Sequence, residues 1–253
     1  MQQFDLTNKV AIITGSSKGI GEAMALALAK AGASVVISSR KREAVDKVAQ
    51  DLTEQGYQAV GIACHVGNPE QRAALVAKTI EKYGRIDILI NNAAINPVFG
   101  PVEDASGDIF DKIMDINVKA PWDLANQCLP HMKANGGSII NISSVEGMHP
   151  GFGLGLYSVS KSALIMLTKN QAKEWGKHGV RSNVICPGLV KTKFSAALWQ
   201  NEQLLNKLEK SIPAGRMATP DEMTGLAVLL ASNAGSYMTG GVYTADGGYL
   251  IAG

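Results

Sequence analysis

The feature that most constrains this chain is an alternation of short β-branched runs with helix-period segments, sustained over nearly all of its 253 residues. Strands are predicted at Val10–Thr14, Ser34–Ser39, Ala59–Ala63, Ile86–Asn91, Gly137–Ser143, Arg181–Cys186 and Gly241–Ala245. Several, such as VAIIT and DILIN, are apolar at odd and even positions alike, the pattern of a strand covered on both faces. Between them, helical spacing is predicted at Ile20–Gly32, Arg42–Gln55, Pro69–Tyr83, Ile109–Ala134, Tyr157–His178 and Pro220–Leu230. Parallel strands require crossover connections, and right-handed crossovers of this length stack helices on both sides of a sheet. The expected fold is α/β, a Rossmann-type doubly wound, seven-stranded, mostly parallel sheet. No Pro/Ser-rich linker, charge block or repeat interrupts the alternation, so residues 1–253 read as a single domain. Residues 191–215 have few strand-like features, and the amphipathic piece Gln200–Lys210 reads as a lid helix.

The first predicted strand runs directly into Thr14-Gly15-Ser16-Ser17-Lys18-Gly19-Ile20-Gly21, which opens the first helix. The spacing T-G-x-x-x-G-x-G differs from G-x-G-x-x-G, but the physics is shared. Gly15 permits a tight turn, Gly19 lets backbone approach a pyrophosphate, and Gly21 allows helix and strand to pack closely. The free N–H groups at the helix start favour an anion. Gly15, Ser17, Lys18, Gly19, Ile20 and Gly21 are therefore the candidate contacts to a dinucleotide.

The end of the second strand bears on which dinucleotide is held. An NAD-selective site places a carboxylate about 20 residues beyond the glycines, on the ribose hydroxyls. Here the segment reads Ser38-Ser39-Arg40-Lys41-Arg42, with no acid before Glu43. A 2′-phosphate suits small hydroxyl donors and a guanidinium fork, so Ser39 and Arg40, aided by Lys18, predict NADP(H) over NAD(H).

Composition narrows the remaining classes. With 46% hydrophobic and 18% charged residues the chain is globular, and its net charge of +2 gives no reason to expect a nucleic-acid or membrane partner. No apolar run approaches the ~20 residues of a membrane span. The N-terminal MQQFDLTNKVAIITG lacks a basic-then-apolar signal. Cys64, Cys128 and Cys186 are odd in number and widely spaced, which suits buried thiols in a reducing cytoplasm rather than a disulfide or metal framework.

The chemistry is expected at Tyr157-Ser158-Val159-Ser160-Lys161, where positions i and i+4 bring a phenol and an ammonium to one helix face. A phenol near pKa 10 is a poor base at neutral pH, and a nearby cation favours phenolate. Upstream, Asn141-Ile142-Ser143-Ser144 closes a predicted strand at its carboxyl end, where open α/β sheets place ligands. The Ser144 hydroxyl can then hold a substrate oxygen while Tyr157 exchanges a proton with it.

Taken together, TGSSKGIG at 14–21, NNAA at 91–94, Asn117 within MDINVKAP, NISS at 141–144, YSVSK at 157–161 and PGLVKT at 187–192 resemble the short-chain dehydrogenase/reductase family. The resemblance covers essentially the whole chain. It implies a tetrad: Asn117 supports a proton-relay water, Ser144 orients substrate, Tyr157 is the acid/base, and Lys161 lowers the tyrosine pKa and binds the nicotinamide ribose. It also implies that Asn91 and Ala93 line the cofactor near its ribose, that Pro187 and Gly188 flank nicotinamide, and that Val190 and Thr192 touch its carboxamide. Two positions depart from the common pattern. Ala94 stands where many members carry glycine, and His65 where many carry an aspartate that meets adenine, leaving the Val66 amide to serve there. Segments such as NNAAINPVFG and PGLVKTKFSAALW look like the branch of NADPH-dependent carbonyl reductases acting on retinal and aromatic ketones. That branch is peroxisomal in animals; the ending Ile251-Ala252-Gly253 is no peroxisomal address, and a cytoplasmic location is expected.

The substrate-facing segments should be Asn96–Gly100, Glu146–Leu156 and Lys191–Gly215, which carry Phe99, Met148, His149, Phe152, Phe194, Leu198 and Trp199. These predict a pocket for an apolar ketone or aldehyde. A 3-oxoacyl carrier-protein or acyl-CoA reductase is the enzymatic alternative, with Lys119, Lys169 and Lys173 as modest docking candidates. A regulator that senses NADP(H) without turnover is the alternative from another class. The resemblance further implies a homotetramer paired through Ile109–Ala134 and Tyr157–His178.

Overall fold

The computed structural model describes residues 2–252, and they form a seven-stranded sheet in the order β3-β2-β1-β4-β5-β6-β7, every neighbouring pair parallel. The strands are β1 Val10–Thr14, β2 Ser34–Ser39, β3 Ala59–Ala63, β4 Ile88–Asn91, β5 Gly137–Ile142, β6 Val180–Pro187 and β7 Val242–Ala245. The strand order reverses between β1 and β4, which opens a crevice at their carboxyl ends, where ligands bind in such sheets. Every residue of β1 and β4 is buried, in accord with apolar side chains on both parities.

Two apolar layers enclose the sheet. One face packs α1 (Gly19–Lys30), α2 (Arg42–Glu54) and α9 (Thr224–Ala231), through residues such as Met24, Leu28, Val45 and Leu230. The opposite face packs α3 (Pro69–Tyr83) and α5 (Ala120–Met132), through Leu75, Val76, Leu124 and Cys128. Beside α5, α6 (Gly155–Trp175) lies along β6 and places Ile165 against Val184 and Cys186. Asn68 caps α3 by accepting the Gln71 N–H at 2.8 Å, and Gly84 ends it in the left-handed conformation.

The long helix expected over Ile109–Ala134 is divided. α4 (Gly107–Met114) passes through a π-helical turn, Asp115–Lys119, before α5 begins. Pro121 supplies the physical reason. It has no N–H to give the Asn117 carbonyl, and the Ala120 N–H reaches back five residues to Asp115. In the segment 191–215 the helix expected at Gln200–Lys210 is α8 (Glu202–Lys210), and a short helix that was not expected, α7 (Ala196–Trp199), precedes it. Among the described residues no helix is long and apolar enough to cross a membrane, and no group of three or more His, Cys, Asp or Glu side chains is placed to hold a metal ion.

Candidate active site

The glycine turn after β1 sits at the crevice and is built around contacts to the end of β4. Gly15 has φ +66° and Gly19 φ +63°. A Cβ on Gly15 would meet Asn92 Nδ2 at 2.8 Å and Ala93 Cα at 3.0 Å, and one on Gly21 would lie 2.6 Å from the Gly15 carbonyl. Around Gly19 the nearest atom to such a Cβ is Thr192 Cγ2 at 3.4 Å, an ordinary van der Waals distance, so this turn lies opposite Thr192. The N-cap of α1, Lys18, is extended and offers no side-chain cap. Backbone donors at the helix start are left to an anion, and the cradle fits a dinucleotide pyrophosphate.

Asn92 and Ser16 organise this turn, and neither stood among the site residues expected from sequence. Asn92 Nδ2 donates to the Thr14 and Gly15 carbonyls at 2.9 and 3.1 Å, while Thr14 Oγ1 accepts from the Asn92 and Ala93 N–H groups. Ser16 Oγ donates to the Ile13 carbonyl and accepts the Ser38 N–H at 2.9 Å, tying the turn to β2. The NNAA motif was visible, but its second asparagine carries the clasp. The Asn91 side chain instead is buried, and its Nδ2 donates to Asn141 Oδ1 at 2.9 Å. Asn141 in turn donates to Thr168 Oγ1 on α6, so this buried pair registers α6 against the sheet.

At the end of β2, Ser39 is half-buried and Arg40 exposed. Arg42 pairs with Asp46 along α2 at 2.5 Å, whereas among the described residues neither Arg40 nor Lys18 has an acidic partner. Both cations are therefore available to an added phosphate. After β3, His65 serves its own loop, with Nδ1 accepting the Gly67 N–H at 3.1 Å. The Val66 carbonyl is held by buried Arg72, which also pairs with Asp123 on α5.

Tyr157 and Lys161 share one face of α6 as their spacing requires, and the ammonium lies over the tyrosine ring and bonds a main-chain carbonyl. Lys161 Nζ is 5.5 Å from the Tyr157 ring centre and donates to the Ile142 carbonyl at 2.8 Å. Lys161 is 2% exposed, and burial pulls its pKa down from 10.5 to about 8. Burial also pushes the Tyr157 phenol well above its ordinary range; the Ser144 hydroxyl opposes that rise, and the charges of Glu146 and Cys186 add to it. For both groups desolvation is the largest cause of the shift.

The two serines of NISS divide the labour. Ser143 Oγ donates to the Lys161 carbonyl at 2.8 Å and fastens α6, while the Ser144 hydroxyl lies against Tyr157. Asn117, 1% exposed in the π-turn, is held by its amide. It accepts the Ile95 N–H at 2.9 Å and donates to the Ile95 carbonyl and to Ser160 Oγ. Ser160 Oγ donates to the Tyr157 carbonyl at 2.7 Å, which joins Asn117 to the tyrosine's own turn of helix. The side chain is thereby fully engaged, and the backbone carbonyl is the group that Pro121 leaves without its α-helical donor.

Pro187 closes β6, and Gly188 lies where a Cβ would meet Asp246 Cα at 2.7 Å. Val190 is buried, and Thr192 is braced by Ser195 and by Trp199 Nε1, which donates to the Thr192 carbonyl at 2.9 Å. Phe194 stands 6.1 Å from Tyr157, ring centre to ring centre, and forms one apolar wall. Phe99, Met148 and Phe152 are exposed, and the Phe99 ring lies against Gly153.

Residues 15–250 match the family described as Enoyl-(Acyl carrier protein) reductase. The chain is 44% identical over 244 residues to rabbit (Oryctolagus cuniculus) dehydrogenase/reductase SDR family member 4, covering 96% of this chain and 94% of that protein. The chain belongs to the short-chain dehydrogenase/reductase family. It is 41% identical to tropinone reductase-like 3 of Erythroxylum coca, covering 95% and 92% of the two chains. A solved gluconate 5-dehydrogenase of Burkholderia cenocepacia, in complex with NADP and tartrate, superposes with a TM-score of 0.94 at 33% identity, covering 98% of this chain and 97% of that one. As a member of this family the chain is an oxidoreductase that uses a nicotinamide dinucleotide and interconverts alcohol and carbonyl groups in small molecules.

Proposed function

We propose that this enzyme reduces apolar ketones or aldehydes with NADPH, using Asn117, Ser144, Tyr157 and Lys161 as its catalytic tetrad. The observation that carries the reading is the convergence of the Ser144 hydroxyl, the Tyr157 phenol and the buried Lys161 beside an aromatic wall. Bound dinucleotide would exchange the hydride. The chain's own residues hold the carbonyl and manage the proton. Ser144 donates a hydrogen bond to the substrate oxygen and fixes it beside Tyr157, which burial keeps as the neutral acid needed for reduction. Lys161 lies one helical turn beyond Tyr157, where its ammonium can bind ribose hydroxyls. The Asn117 carbonyl is oriented to hold a relay water at the far end of the proton path.

The glycine turn, Ser17 and Ile20 would hold the pyrophosphate, with Val66 at adenine and the Asn91 and Ala93 backbone near the ribose. Pro187, Gly188, Val190 and Thr192 would surround the nicotinamide. Residues 1–253 act as one dinucleotide-binding and catalytic domain, with 191–215 as its substrate lid and a cytoplasmic homotetramer as its working form. The acyl-thioester alternative gains little, because Lys119 is already paired with Asp115 at 3.2 Å. NADPH consumption against a panel of aryl ketones, aliphatic aldehydes and acetoacetyl thioesters tests the reading; turnover confined to thioesters would replace it.

The cofactor preference has its own test at Arg40. Losing a charge-assisted contact to the 2′-phosphate costs about 1.5–3 kcal/mol. Arg40→Ala is therefore expected to raise KM for NADPH about 10- to 100-fold and to leave KM for NADH nearly unchanged. Equal changes for both dinucleotides, or a wild type that prefers NADH, would remove Arg40 from this role.

A further inference from the structure

Glu146 follows Ser144 by two residues and is taken up by none of the roles above. Its backbone N–H donates to Ser144 Oγ at 3.1 Å, within the short turn Val145–Gly147. Its carboxylate turns toward the loop that rims the cleft. It accepts the Gly151 N–H, and Ser158 Oγ lies 3.5 Å from Oε2. The carboxylate occupies the space in which a Gly151 side chain would stand, so the loop closes on Glu146 only because residue 151 has none. The loop between Glu146 and Gly151 carries Met148 and His149, and Phe152 follows directly. On the other side the carboxylate faces Tyr157, the neighbour of Ser158 on α6.

We propose that Glu146 is a positioning residue that joins the substrate loop to the acid/base, pinning residues 148–152 through Gly151 and Ser158 and fixing the electrostatic field at Tyr157. The proposal rests on Tyr157 being the acid/base. Four charged or titratable groups enter the balance. Glu146 faces Tyr157 from the turn after β5, Cys186 from β6 and Lys161 from α6, while His149 faces Glu146 from the loop. Burial raises the Glu146 carboxyl, and the Gly151 N–H, Ser158 and His149 draw it back. A carboxylate beside a phenol disfavours the phenolate, so it keeps the proton on Tyr157 for reduction and hinders alcohol oxidation.

Glu146→Gln removes the charge and keeps an oxygen able to accept the Gly151 N–H. In alcohol oxidation, where rate rises with pH as Tyr157 ionises, the rising limb is expected to move about half a unit or more toward acid, roughly a threefold gain at fixed pH on that limb. Gly151→Ala leaves the charge in place but drives its methyl into the carboxylate. It is expected to raise substrate KM about three- to tenfold with kcat within about twofold, since positioning is lost and the reacting groups are not. A stationary limb in Glu146→Gln, or an unchanged KM in Gly151→Ala, would overturn the assignment. Tyr157→Phe, assayed beside them, separates this failure from a wrong acid/base. If Tyr157→Phe is inactive while both other variants behave as wild type, only the role of Glu146 falls.

Discussion

Tyr157→Phe is expected to lower kcat/KM for carbonyl reduction by at least about 100-fold, because a positioned general acid contributes some 10²- to 10⁴-fold. The substitution is surgical. The ring keeps its contact with Phe194 at 6.1 Å and its place under Lys161 Nζ at 5.5 Å, so packing is retained. Only the hydroxyl and its interaction with Ser144 are lost. Cofactor affinity, read by NADPH fluorescence, should change little, and thermal unfolding should stay within a few degrees of wild type. Residual turnover would come from Ser144, whose hydroxyl still polarises the carbonyl. Turnover within tenfold of wild type, in a folded variant that binds NADPH, would remove Tyr157 as the acid/base.

Runs of apolar residues on both parities marked the central strands, as in Val10–Thr14, every residue of which is buried. The pairing of Tyr157 with Lys161 on one helix face followed from the 3.6-residue repeat alone. What spacing could not convey was direction. It could not show that the Lys161 ammonium turns to the Ile142 carbonyl, nor that Asn92 rather than Asn91 clasps the glycine turn. Side-chain direction depends on which backbone carbonyls a fold leaves unpaired, and that is settled only when distant segments meet. The division at Asn117 is a different case. Pro121 stood in the sequence four residues on, yet proline is tolerated in the first turn of a helix, and α5 begins there. Helical spacing therefore continues through 109–134 with nothing in it that marks the π-turn.

Lys161→Met is expected to cost turnover about 100-fold or more and, separately, to reveal the energy stored in the buried ammonium. Methionine fills a similar volume without charge; on the proposed assignment it would also lose the ribose contact and the positive charge beside Tyr157 that stabilises the reacting oxygen. The stability signature has a definite sign. The folded-state pKa of Lys161 is lowered to about 8 by burial, against 10.5 for a free side chain. Below pH 8 the lysine is charged in folded and unfolded chains alike, and the folded chain carries the full desolvation penalty. Between pH 8 and 10.5 the folded chain sheds the proton while the unfolded chain keeps it, so stability rises with pH across that window. Methionine has no such step. The stability difference between wild type and Lys161→Met should therefore shift in favour of wild type by about 2 kcal/mol between pH 7.5 and 9.5. The raised Tyr157 and Cys186 groups are common to both chains and largely cancel in that difference. Urea unfolding of both proteins, free of dinucleotide, at the two pH values measures it. A gap independent of pH would mean that Lys161 is better solvated than its burial implies, and that its hydrogen bond to Ile142 repays the cost of bringing a charge beneath the active site.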